Sequence, residues 1–132
     1  MNTKLLLTSS AFFLGLIGIG LTFFPKEILF NLTNEYNQNL AITLQLLGAL
    51  YLGFGIMNWM ARGSIIGGIY NRPIAIGNFM QFSVGAISLF KIVFEVHEKA
   101  EIIITLTILY SLFAICFAYV FLVNPSKLIN KK

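Results

Sequence analysis

Residues 40–61 read LAITLQLLGALYLGFGIMNWMA, a run with no charged side chain and no strand-like alternation of polar and apolar positions. Inside lipid no water can serve the backbone of such a segment, so its amides and carbonyls must bond within it, which makes it a helix. Leu5 to Phe24, Ile74 to Phe90 and Ile102 to Val123 share this character. Each run has about 17 to 22 residues, the length a helix needs to cross a hydrocarbon core of about 30 Å. The 132-residue chain is 58% hydrophobic and 11% charged, whereas a soluble domain is about a quarter charged. The reading is an all-α membrane protein. A single domain, residues 1–132, holds four transmembrane helices at about residues 5–24, 40–61, 74–94 and 102–123, in an up-down-up-down bundle.

Lys4 ahead of an apolar run also describes a secretory signal, but no small-x-small cleavage site precedes Pro25, so the first helix is read as uncleaved. Cys116 is the sole cysteine and lies inside the fourth run, which leaves no intrachain disulfide and makes it a small packing residue.

Charge sorts by connection. Lys4, Arg62, Arg72, Lys127, Lys131 and Lys132 fall in the N-terminus, the second connection and the tail, against Lys26, Lys91 and Lys99 in the first and third connections. Six against three places both termini and the second connection in the cytoplasm, because short loops rich in Lys and Arg stay inside. Glu27, Glu35, Glu95, Glu98 and Glu101 all lie on the opposite side.

Small and polar residues fall in stripes. In the first span Thr8, Ala11, Gly15, Gly18 and Thr22 step by three and four, giving a face that lets another backbone come close. The second span carries Gly48, Tyr51, Gly55, Asn58 and Arg62 at the same steps, with Gln45 on that side; the third carries Asn78, Gln81, Gly85 and Ser88. Gly15, Gly18, Gly48, Gly55 and Gly85 are therefore expected at helix contacts. Gln45, Asn58, Asn78 and Gln81 have two readings: interhelical glue, or the lining of a small pocket for the polar end of a lipophilic molecule. After the first span, Pro25 stops the helix, and Lys26 to Leu32 is expected as a short interfacial helix with Ile28, Leu29 and Phe30 dipping toward lipid.

Arg62 and Arg72 flank the glycine-rich connection "RGSIIGGIYNRP", and their first explanation is topogenic. Pro73 suits the first position of the third helix, where its missing amide proton costs nothing. Exposed amides there, with Arg62 and Arg72 nearby, would suit an anion such as a phospholipid headgroup.

Other chemistry is disfavoured. The chain has no Asp, its one histidine is His97, and every Glu lies outside the apolar runs, so no acid, base or nucleophile constellation is held within the membrane. His97, Glu98 and Glu101 share a helical turn but lack the second histidine of a zinc motif, so no metal and no cofactor is expected. Gly63, Gly67 and Gly68 do not form a phosphate loop, and the net charge of +4 clusters beside the membrane, which leaves nucleic acid without support.

From Gly48 to Phe79, the segment "GALYLGFGIMNWMARGSIIGGIYNRPIAIGNF" resembles the central part of small four-helix membrane proteins of bacteria, and more loosely the chain is similar to DoxX-like proteins. It lacks the charged first-span positions of that group, so the resemblance implies a bacterial inner (plasma) membrane location and a bundle, without their chemistry. The expected function is that of a noncatalytic multi-pass membrane protein, self-associating or an accessory subunit of a membrane complex. Its expected partners are membrane lipids and either a second copy, docked through Gly15 and Gly18, or another membrane protein. The alternative is a binder or carrier of a small lipophilic molecule or lipid at the polar stripe.

Overall fold

The computed structural model describes residues 2–64, 66, 71–95 and 100–123. It is all-α among these residues, with five helices: α1 (Thr3–Phe23), α2 (Pro25–Thr33), α3 (Gln38–Ala61), α4 (Arg72–Val93) and α5 (Ala100–Leu122). All but α2 are long and apolar enough to cross a membrane. The shortest of the four, α1 with 21 residues, extends about 31 Å at 1.5 Å per residue, enough for the hydrocarbon core. Their bounds lie within about two residues of the sequence expectation, the ordinary uncertainty of a helix end.

Local chemistry sets those ends. Pro25 disfavours helical backbone at the residue before it and then occupies the start of α2, where its fixed φ suits a first turn. Asn34 closes α2 in the left-handed region at φ 56°, a conformation its short polar side chain tolerates, and its N–H donates to the Phe30 carbonyl. Asn37 caps α3, accepting from the amides of Asn39 and Leu40 at 3.0 and 3.3 Å. That cap explains why α3 begins at Gln38, ahead of the apolar run that starts at Leu40.

The chain divides into two compact units, Leu7–Arg62 and Met1–Leu6 with Gly63–Lys132. In the first, α3 runs antiparallel to α1, with Ala11 and Gly15 beside Gly55, and Gly18 and Thr22 beside Gly48. α2 packs on α3. Its Leu29 is only 1% exposed whereas Phe30 is 64% exposed, so of the residues expected to dip toward lipid, Leu29 turns inward. A nine-residue helix presents both faces, and burying Leu29 is what anchors this one.

In the second unit, α4 and α5 pack side by side. Phe82 of α4 is fully buried, stacked on Phe113 and Phe117 with ring centroids 4.7 and 5.7 Å apart and edge-to-face with Tyr110 at 5.4 Å. Gly85, one turn on, lies under the Tyr110 ring, where a Cβ would come within 2.5 Å of Cε1. The hydroxyls of Ser88, Thr105, Thr107 and Ser111 return to the carbonyl one turn earlier in their own helices, at 2.7 to 2.9 Å. These four hydroxyls are thus satisfied locally, and aromatic packing builds the core around Phe82.

Candidate functional site

The densest arrangement of candidate residues is the α1–α3 seam. A Cβ on Gly55 would stand 3.1 Å from the Gly15 nitrogen and 3.2 Å from the Ala11 carbonyl oxygen. One on Gly18 would stand 2.8 to 2.9 Å from Leu52 Cγ, Leu52 N and the Gly48 oxygen, and one on Gly48 would collide with Thr22. Two small-residue stripes therefore face each other at backbone-to-backbone distance. In lipid, where apolar burial drives nothing, such proximity is the main source of packing energy. The Gly18 face of α1, expected from the sequence to receive a second copy, receives α3 of the same chain.

At the C-terminal end of this seam, Asn58 is fully buried and its Nδ2 donates to Ser10 Oγ at 3.0 Å. Ser10 in turn donates to the Leu7 carbonyl at 3.1 Å. At the other end, Gln45 is exposed and its Nε2 reaches the Thr22 carbonyl at 3.5 Å, the limit of a hydrogen bond. Asn78 belongs to the other unit, where it is fully buried and donates to the Ile74 carbonyl at 2.9 Å. Gln81 is half-buried on α4.

Arg62 ends the first unit. Its guanidinium lies 3.4 Å from the centroid of the Trp59 ring, three residues earlier on the same face. Nη1 is buried and has no hydrogen-bond partner among the described residues. Arg72 opens α4 in the second unit, exposed, with its guanidinium 5.2 Å from the Phe121 ring. Pro73 follows within the first turn, one place later than expected because the helix already begins at Arg72.

Beside the seam, α1 and α3 leave an open apolar groove of about 250 Å³, lined by Phe12, Gly15, Leu52, Ile56 and Trp59 among others. Phe12 and Trp59 meet edge-to-face across it with centroids 5.5 Å apart. The sequence reading had not used Ser10, Phe12 or Trp59. For Trp59 a signal exists in its three-residue spacing from Arg62; for Ser10, off the first-span stripe, local spacing offers none.

His97 and Glu98 lie outside the described residues, as do Lys99, the central residues 67–70 of the second connection, and the tail with Lys127, Lys131 and Lys132. Glu101 is exposed in the first turn of α5, and among the described residues no three His, Cys, Asp or Glu side chains gather in a way that could hold a metal ion. Cys116 is half-buried on α5.

No family model matches the chain, and no curated protein or solved structure matches it. The DoxX-like resemblance thus has no matched relative behind it, and function rests on the chain's own geometry.

Proposed function

We propose that the chain is a noncatalytic multi-pass protein of the cell's inner (plasma) membrane, with both termini in the cytoplasm, that works by assembly with further copies or as an accessory subunit of a membrane complex. What supports this is the outer face of α3. Ala49 and Gly53 lie four apart and exposed, in a notch of about 500 Å³ bordered by Leu46, Leu50, Phe54 and Met57. A Cβ on Gly53 would meet nothing within 4 Å, so a second helix can bring its backbone close there. Native mass spectrometry of the protein extracted with its surrounding lipid tests the reading. An oligomer or a stoichiometric partner, weakened by Ala49→Leu with Gly53→Leu, supports assembly; a monomer without companions contradicts it.

A second reading, a binder of a small lipophilic molecule or lipid, is favoured by the α1–α3 groove. At about 250 Å³ it falls below the roughly 300–1,000 Å³ that encloses a drug-sized ligand and suits a single chain segment. A copurifying lipophile displaced by Gly15→Leu would favour it over assembly.

A further inference from the structure

The α1–α3 groove and Arg62 are linked through Trp59. Trp59 both lines the groove and carries the Arg62 guanidinium on its ring. Stacking engages only the face of a guanidinium; its N–H bonds lie in the plane and still require acceptors. Nη1, buried and without a partner among the described residues, leaves that requirement open.

Position supplies the next constraint. Arg62 follows directly on the last residue of α3, so the guanidinium sits where a spanning helix meets the headgroups, with the Trp59 ring in the belt that such rings favour. From Trp59 to Leu52 the groove follows α3 for seven residues, about 10 Å toward the membrane interior. It is apolar along its walls, and Arg62 stands three residues beyond Trp59 at its end.

From this we infer that the groove holds one acyl chain of an anionic phospholipid from the surrounding bilayer, with the lipid phosphate accepting hydrogen bonds from Arg62. A phosphate presents paired oxygens that match the guanidinium fork, and Nη1 is already desolvated. Selectivity for an anionic over a zwitterionic headgroup follows from charge. Between Glu35 and Glu95 the chain has no acidic residue, so neither α3 nor α4 offers a choline or ethanolamine group a carboxylate. Among the described residues the other notch of α3 is lined by Leu46, Ala49, Leu50, Gly53, Phe54 and Met57, with no cation, which separates it from this site. The inference deepens the lipid-binding reading by naming the headgroup.

Trp59 is the one tryptophan of the chain, so its emission reports on the groove. The test reconstitutes the protein in phosphatidylcholine vesicles containing an equal mole fraction of acyl-brominated phosphatidylglycerol or acyl-brominated phosphatidylcholine. Brominated phosphatidylglycerol should quench Trp59 as if its occupancy were about fivefold higher, the scale of one basic residue acting on an anionic lipid. Arg62→Gln should abolish that preference. Gly15→Leu, whose added side chain starts in open space, should reduce it by filling the groove. Lys4→Gln, which removes a positive charge on the same expected side of the membrane, should leave it intact. Equal quenching by the two lipids in the unaltered protein, or equal loss of preference in Lys4→Gln and Arg62→Gln, overturns the headgroup assignment while the groove remains lipid-facing. Absence of quenching by either lipid overturns the lipid-binding reading as well.

Discussion

Asn58 of α3 donates its side-chain amide to the hydroxyl of Ser10 on α1 at 3.0 Å, joining two helices whose residues here are 48 positions apart. Both side chains are fully buried, so neither has solvent as an alternative partner. Interhelical hydrogen bonds in membranes average about 0.6 kcal/mol and reach about 1.7, because the unfolded chain in lipid also finds partners.

A double-mutant cycle of Asn58→Leu and Ser10→Ala should therefore return a coupling of about 0.6 to 1.7 kcal/mol, read from denaturant titration of the reconstituted protein. Purely additive losses would mean that the bond contributes nothing to holding α1 against α3.

Glycines on the α1–α3 seam should divide sharply. Gly18→Ala places a Cβ within 2.9 Å of backbone atoms of Gly48 and Leu52, which cannot step aside. It should cost about 1 to 3 kcal/mol through overpacking. Gly15→Ala, with nothing within 4 Å of the new carbon, should be neutral or gain a few tenths of a kcal/mol from reduced backbone freedom. Equal effects at the two positions would contradict the seam.

Phe82 should be the most sensitive position of the second unit. Truncating a fully buried ring that contacts Tyr110, Phe113 and Phe117 leaves a cavity with no atoms to restore the lost dispersion. Phe82→Ala should cost about 3 kcal/mol or more and Phe82→Leu distinctly less, in thermal unfolding in detergent.

The charge asymmetry makes a topological prediction. A fluorescent or enzymatic reporter fused after Lys132 should be active on the cytoplasmic side, since the Lys- and Arg-rich connections stay inside. Activity on the outer side would reverse the orientation of every span.

How much of this was readable in the sequence varies by level. The four long helices were legible to within about two residues, because lipid leaves an uncharged segment no other way to satisfy its backbone. Of the glycines on the small-residue stripes, Gly18, Gly48 and Gly55 have backbone of the facing helix within 3.2 Å of where a Cβ would stand, whereas at Gly15 nothing lies within 4 Å. What spacing could not supply was which stripe meets which. Any face with small residues at steps of three and four fits any other, so Gly18 could equally have faced a second copy. Asn58 was grouped with Asn78 because consecutive helices joined by a short turn are commonly neighbours. Asn58 donates to Ser10, which stood on no stripe. Leu29 was assigned to lipid with Ile28 and Phe30 because a short helix near the interface has an apolar side, yet Leu29 packs inward while Phe30 stays exposed. The aromatic core was also missed: Tyr110, Phe113 and Phe117 recur at helical spacing, but in so apolar a span every face has that pattern.

The small face of α1 is occupied within the chain, against α3. Ser10→Cys with Asn58→Cys, in a Cys116→Ala background, tests it directly by mild oxidation in the membrane followed by denaturing electrophoresis. The expected product is a disulfide within one chain: a monomer whose mobility changes on reduction. A disulfide-linked dimer as the main product would place α1 against a neighbouring copy and contradict it.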